Sequence, residues 1–336
     1  MKLRAKIVTV HTKRTFAIAR SSADDFGRVI LEVEEDGTKG RGEAAPTGYY
    51  GQNAEDARSA LETVEVEDPW NLEGTLAANA HLPPASLAAL DAALHDLAAK
   101  RLGVPVYRLL GLGRPMSATA YTLGIAERET TLDGARELAR SGFSIFKMKV
   151  GGWDDIETVR AVAQASDAEI WVDANEAFSP QEAPEVVRRL RNIGVAMIEQ
   201  PVPASEGSEA LRAATEAAAP VPVIADESAM DARDVPKLAG CVSGVNVKLA
   251  KCGGIRGALA MIHTARAHDM KVMLGCMVET SLGIAAAVQV SGLVDFVDLD
   301  GFLLLADDPF EGLHVENGRI LLPEVPGLGV EPVETA

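Results

Sequence analysis

The sequence predicts an α/β protein: a (β/α)-type parallel barrel of eight strands whose last unit is incomplete, preceded by a smaller α+β domain. Three observations predict it. From residue 116 onward, short apolar runs of strand character alternate strictly with helix-like runs, the pattern of a parallel barrel. Before that point strands come first and helices follow, as in an α+β unit. Five of the barrel's strand-like runs each close on a charged residue at nearly even spacing. A chain of 336 residues has room for one large or two moderate domains with a substantial core.

Taken in order, residues 1–36 read as strands. Residues 28–34 put Val29, Leu31 and Val33 on one side, and Asp36-Gly37 is a hairpin turn signal. Residues 16–27 read as a polar loop carrying Arg20, Ser21, Ser22, Asp24 and Asp25. A glycine-rich stretch, 40–51, carries Tyr49 and Tyr50, and residues 54–64 and 84–102 have helical periodicity. The second helix is rich in Ala and Leu, so its His95 reads as a core histidine. The eight barrel strands are expected at 118–123, 145–150, 169–173, 196–199, 223–226, 244–248, 271–275 and 296–300. Helices fall between them, for example at 155–164, 181–191 and 254–267. No clear helix follows the last strand. The expected division is a capping domain at 1–115, a barrel at 116–305, and a segment at 306–336 that returns to the cap. That segment holds a second hairpin signal, Asn317-Gly318.

Composition excludes several classes of function. Hydrophobic residues make up 47% of the chain, so it is globular. No apolar run approaches the roughly 20 residues that span a bilayer, and the alternating N-terminus has no signal-peptide apolar region. A net charge of −17 argues against nucleic acid or an anionic membrane as partner. Cys241, Cys252 and Cys276 are an odd set without C-x-x-C spacing, which suits reduced thiols in the cytoplasm.

The charges that close the strands are Lys149, Asp173, Glu199, Asp226 and Lys248, spaced 24, 26, 27 and 22 residues apart. One βα unit takes about that length, so all five fall at the C-terminal rim, where such barrels hold their active sites. Three converging carboxylates without His or Cys form an oxygen-only site for a hard cation, Mg²⁺ with Mn²⁺ able to substitute. A metal between two amines suits proton removal next to a carboxylate, because the developing enediolate needs stabilisation. Lys147 shares a strand face with Lys149. Its charge and the metal's should lower the Lys149 pKa toward that of a working base. Lys251, three residues after Lys248, is the rival for the second base.

This set of residues resembles the enolase superfamily, in its muconate-lactonizing-enzyme-like branch. The branch has a K-x-K second strand, Asp/Glu/Asp metal ligands on the next three, and a lysine on the sixth. The resemblance spans essentially the whole chain. It implies a (β/α)₇β barrel with an N-terminal cap whose specificity loop is 16–27, and a homo-oligomer. It favours Lys248 over Lys251, which would fall in the loop after the strand. Asp298 and Asp300 on the eighth strand, and the stretch 273–284 before them, are similar to those of dipeptide epimerases, which use both aspartates to hold the substrate's ammonium. The activity implied is two-base 1,1-proton transfer at the C-terminal α-carbon of an unblocked dipeptide, L-Ala-D/L-Glu in the best-known cases. Arg20 matches the arginine that meets the glutamate side chain, although Asp24 and Asp25 are placed to neutralise it or to face a cationic side chain. The alternatives are epimerisation of hydrophobic or cationic dipeptides, an N-succinylamino acid racemase, and an o-succinylbenzoate synthase. Outside the family they are a Schiff-base lysine enzyme, which would not need three metal carboxylates, and a non-catalytic binder.

Overall fold

A computed structural model describes residues 1–333. The cap opens with an antiparallel meander of β1 (Lys2–Ile18), β2 (Ser21–Glu35) and β3 (Thr38–Ala44). Three helices follow: α1 (Ala54–Glu62), α2 (Leu72–Ala78) and α3 (Pro84–Leu102). Val29, Leu31 and Val33 are fully buried and pack with Ala89, Leu90, Ala93, Leu94 and Leu97 of α3. Sheet and helix approach unusually closely. A Cβ at Gly40 or Gly42 would lie 2.1 Å from the carbonyl oxygen of Ala93 or Ala89, so only glycine fits against the alanines of the helix. His95 is buried in α3 with Nδ1 2.8 Å from the Asp91 carbonyl oxygen, a core histidine as expected.

Residues 16–27 differ from expectation. They form no loop but the tip of the β1–β2 hairpin, with Ile18 opposite Ser21 and Phe16 opposite Ala23 across a two-residue turn at Ala19 and Arg20. The pairing slips between His11 and Phe16. The arm rests partly on the segment that follows the last barrel strand: Ala306 N–H donates to the His11 carbonyl (2.8 Å), and the His11 ring sits 2.6 Å from Asp307 Oδ2.

The barrel strands are β4 (Tyr121–Leu123), β5 (Ile145–Lys149), β6 (Glu169–Asp173), β7 (Met197–Glu199), β8 (Val223–Ala225), β9 (Gly244–Val247), β10 (Lys271–Gly275) and β11 (Phe296–Asp298). They pair in parallel in sequence order. Alternation along each strand separates two environments. Outward residues such as Phe146, Val172, Ile198, Val223, Val247, Val272 and Val297 join the large core under the helices. Inward residues Ala120, Trp171, Met197, Ile224 and Met273 form a small apolar plug in the lumen. Above that plug the inward row becomes charged. The ring closes between β4 and β11 by single bonds: Ala120 N–H to the Val297 carbonyl (2.9 Å), Leu299 N–H to Thr119 Oγ1 (2.9 Å), and Thr122 N–H to Asp300 Oδ2 (2.6 Å).

Helices Trp153–Ala165, Ala183–Ile193 and Ile255–Ala267 stand where the periodicity puts them. After β11 only the 3₁₀ turn Gly301–Leu304 follows, so the eighth unit lacks its helix. The chain then makes a hairpin, His314–Glu316 with Arg319–Leu321, and returns to the cap. There Leu328 N–H donates to Asp96 Oδ1 (2.8 Å) and Glu331 pairs with Arg41 (2.6 Å). Among the described residues no helix is long and apolar enough to cross a membrane.

Candidate active site at the barrel rim

Each strand-closing charge belongs to the inward row of its strand. Register puts Lys149 beside Asp173 and Asp173 beside Glu199 across β5, β6 and β7. Glu199 pairs with Ile224, so Asp226 stands one inward position higher. Lys248 follows β9 directly, and Gly275 on β10 makes room for it: a Cβ there would lie 3.0 Å from Lys248 Cε and 2.6 Å from Asn246 Oδ1.

The charges form one network. Lys147 is buried among three carboxylates: Asp298 Oδ2 at 2.6 Å, Glu199 Oε2 at 2.7 Å and Asp173 Oδ2 at 3.1 Å. Burial opposes its charge, but Asp298, Glu199 and Asp173 hold its ammonium well above the ordinary lysine range. Lys149 donates to Asp173 Oδ2 (2.6 Å) and Lys248 to Asp226 Oδ2 (2.7 Å). Lys248 is likewise held up, against burial, by Asp226 and Glu199. Lys251, expected in a loop, lies on the one-turn helix Leu249–Cys252 and donates to Asp226 Oδ1 (2.5 Å).

Asp173, Glu199 and Asp226 are 0%, 0% and 1% exposed. Asp173 and Asp226 are kept below the usual carboxylate range despite burial, Asp173 by Lys149 and Lys147, and Asp226 by Lys248 and Lys251. Glu199 is pushed up to about 7, by burial first and then by Asp173. As the side chains stand, no three carboxylates, histidines or cysteines among the described residues converge as metal ligands, since Asp173 and Asp226 are turned onto lysines. The donor set nonetheless fits a hard divalent cation: three buried oxygen-only groups on adjacent strands.

All this opens into a cavity of about 640 Å³ between rim and cap. Lys147, Lys149, Asp226, Lys248, Asp298 and Asp300 line its floor, and Arg20, Phe16, Ile18, Phe26, Tyr49 and Tyr50 its upper wall. Asp298 Oδ1 is buried without a hydrogen-bond partner. Asp300 is pushed up to about 7 by burial and then by Asp298. Arg20 is already engaged: Nη2 pairs with Glu227 Oε1 (2.7 Å), Nη1 lies 3.7 Å from Glu176 Oε2, and the guanidinium stacks 4.2 Å from the Tyr49 ring centroid. Asp25 lines the same cavity.

Sequence reasoning missed Asn246, whose Nδ2 donates to Glu199 Oε1 (2.6 Å). Its position two residues before Lys248 was the available signal, since it puts both on one face. Glu176 and Glu227 carried no periodic signal. Asn175, Glu176 and Gln200, just past Asp173 and Glu199, take left-handed φ values of 41°, 70° and 35°, conformations that cluster at functional sites. Gln200 Oε1 in turn accepts from Asp226 N–H (2.9 Å), which fixes the next strand end.

The family models agree with this architecture. Residues 2–111 match the mandelate racemase / muconate lactonizing enzyme N-terminal domain, and residues 130–336 match the enolase C-terminal domain-like family. The chain is 39% identical over 326 residues to the L-Ala-D/L-Glu epimerase of Bacteroides thetaiotaomicron, covering 95% of this chain and 84% of that one. It is 36% identical over 341 residues to the hydrophobic dipeptide epimerase of Roseobacter litoralis, covering 96% of each. The structure of a dipeptide epimerase from Methylococcus capsulatus, complexed with Mg and the dipeptide L-Arg-D-Lys, matches with a TM-score of 0.92 and 32% identity over 98% of both chains. Two of these relatives are named for different kinds of side chain and the third holds a dipeptide of yet another kind, so kinship of this degree carries no side-chain preference. The chain belongs to the enolase superfamily, in its mandelate racemase/muconate lactonizing enzyme group, and its kinship within that group is with the dipeptide epimerases.

Proposed function

We propose that the chain is a Mg²⁺-dependent dipeptide epimerase that inverts the α-carbon of the C-terminal residue by two-base proton transfer. Lys149 and Lys248 reach the cavity from the two ends of the carboxylate row. One takes the α-proton and the other returns a proton to the opposite face, in either order according to the epimer bound. Lys147, held by three acids, stays charged and is not a base. Asp173, Glu199 and Asp226 would hold Mg²⁺, which supplies electrophilic stabilisation of the charge that develops on the substrate carboxylate.

The observation that carries the dipeptide reading is Asp298 Oδ1, a buried acceptor without a partner beside Asp300 on the cavity floor. A free ammonium would satisfy it with a charge-assisted bond, whereas the succinyl group of an N-succinylamino acid would bring a carboxylate against the Asp298/Asp300 pair. This disfavours N-succinylamino acids and o-succinylbenzoate precursors.

Arg20 supports L-Ala-D/L-Glu as substrate, but a side-chain carboxylate must share it with Glu227 and Glu176. A second reading, a hydrophobic C-terminal residue, has its own support in Phe16, Ile18 and Phe26 on the same wall. The three cysteines are free thiols, in keeping with a cytoplasmic setting.

The test is NMR-detected exchange in D₂O with L-Ala-L-Glu, L-Ala-L-Phe and L-Ala-L-Lys. Deuterium should enter the C-terminal α-position and stop entering when EDTA is added. No exchange with any dipeptide, or exchange indifferent to EDTA, sinks the proposal.

A further inference from the structure

Lys251 has no part in the mechanism above, and its surroundings are unusual for a lysine. Its side chain is fully buried and does not line the cavity. Its ammonium makes three short contacts: Asp226 Oδ1 (2.5 Å), the Asp226 main-chain oxygen (2.6 Å) and the Asn246 main-chain oxygen (3.1 Å). Those use all three of its donors, which is what a buried ammonium requires. Lys248 and Lys251 are joined through one carboxylate, with Lys248 on Oδ2 (2.7 Å) and Lys251 on Oδ1. The backbone explains the pairing. Lys248 precedes a one-turn helix, Lys251 N–H donates to the Lys248 carbonyl (2.9 Å), and residues three apart on such a turn share a face.

The same arrangement stands across the barrel, where Lys149 and the deeper Lys147 share Asp173 Oδ2. Each lysine offered to the substrate thus leans on a carboxylate that a second, buried lysine also holds. If the cavity lysine swings toward the substrate, its carboxylate keeps a cation. On the Lys149 side that second lysine is itself tied to Glu199 and Asp298, so it serves the whole floor. Lys251 is tied to Asp226 and to main chain beside it, so it serves only the Lys248 side.

We propose that Lys251 is a positioning residue for one half of the reaction: it fixes the Asp226 carboxylate so that Lys248 is aimed at one face of the substrate α-carbon. This rests on the two-base epimerase reading. Losing Lys251 should therefore damage proton transfer at the Lys248 face and spare the Lys149 face. A merely structural residue would damage both alike.

The experiment follows α-proton exchange in D₂O by NMR, starting separately from each C-terminal epimer of a dipeptide the wild type turns over. The variant is K251M, kept at saturating Mg²⁺ with the affinity for Mg²⁺ titrated independently by calorimetry. Inversion needs both lysines and should fall about tenfold or more, whereas exchange with retention from the epimer facing Lys149 should stay within about twofold of wild type. Equal losses from both epimers, or no loss from either, overturn the proposal. K251Q, which keeps a donor without the charge, is the second variant and should show the same one-sided pattern, less severely. If neither variant folds by circular dichroism, Lys251 is a folding residue and the proposal fails. A wild type that exchanges no dipeptide would instead bring down the epimerase reading beneath it.

Discussion

The barrel rim and the hairpin that overhangs it are both dense in charge, but they are built in opposite ways. At the rim, Lys147, Asp173, Glu199, Asp226 and Lys251 are buried, and each cation has a carboxylate within 2.7 Å. At the hairpin tip the Arg20 side chain is 30% exposed, and one of its two carboxylates lies 3.7 Å away. A buried charge stripped of its partner is expensive, so the rim residues depend on one another. Ion pairs near water contribute little, so exposed tip residues such as Ser21, Ser22 and Asp24 can change singly, whereas Arg20 also answers to the buried Glu227. The comparison implies that the chemistry is fastened in the barrel, while the choice of side chain is left to a part that tolerates change.

Replacing Lys147 by Met should have the largest effect on the protein as a whole. It strands parts of three buried carboxylates and should destabilise the metal-free protein by about 3–5 kcal/mol, read as a lower urea midpoint at unchanged slope. A variant as stable as wild type would break the comparison at its stronger end. Asp298→Asn should come next. Weakening a charged hydrogen bond to the substrate ammonium should raise KM for a free dipeptide about 10- to 100-fold, measured against an N-acetylated dipeptide as control. Arg20→Met should cost only about three- to tenfold in kcat/KM, and only for a dipeptide ending in Glu. An equal loss with Phe at that position would make Arg20 a strut for the hairpin and remove it from recognition.

The smallest effect belongs to the exposed pair that ties the arm to the barrel. The hydrogen bond and charge of Asp307 raise the His11 pKa. A raised histidine pKa contributes stability that is complete below the unfolded value of about 6.5 and is lost as pH rises through the folded value. His11→Ala should therefore lower Tm slightly in mild acid and not at all in alkali, as scanning calorimetry on both proteins can check. The reverse pH dependence would show that the arm is not held this way.

Much of this was legible in the sequence, for a physical reason. A strand buried on its outer face and charged at its inner end leaves an apolar run that stops at Asp, Glu or Lys, and β5 through β9 all do so. The incomplete eighth unit was visible in residues 302–309, which have no helical period. The hairpin tip was not. Its residues are half-exposed on both faces, so no alternation marks it as strand, and Ser21, Ser22, Asp24 and Asp25 read as loop. Nor could spacing say which lysine takes which carboxylate. Asp173 and Asp226 look alike in sequence, and only the turn after β9 puts Lys251 beneath one of them. The expectation that Lys147 would act on Lys149 mainly by repulsion also missed Asp173, whose Oδ2 stands between the two ammoniums, 2.6 Å from Lys149 Nζ and 3.1 Å from Lys147 Nζ.

The seam between β4 and β11 bears on how such a site can drift over evolutionary time. One of the few bonds that close the ring is made by the Asp300 carboxylate, which takes the Thr122 N–H in place of a backbone carbonyl. The same side chain faces the cavity. Any replacement at 300 must keep an acceptor for that amide or open the barrel at its weakest join, so architecture holds the position whatever ligand the cavity takes. Asp298, two residues earlier, has no such duty to the backbone. Lineages that change what the floor of the cavity recognises should therefore change residue 298 first and leave 300 as it is, the barrel's own closure acting as a brake on half of its recognition motif.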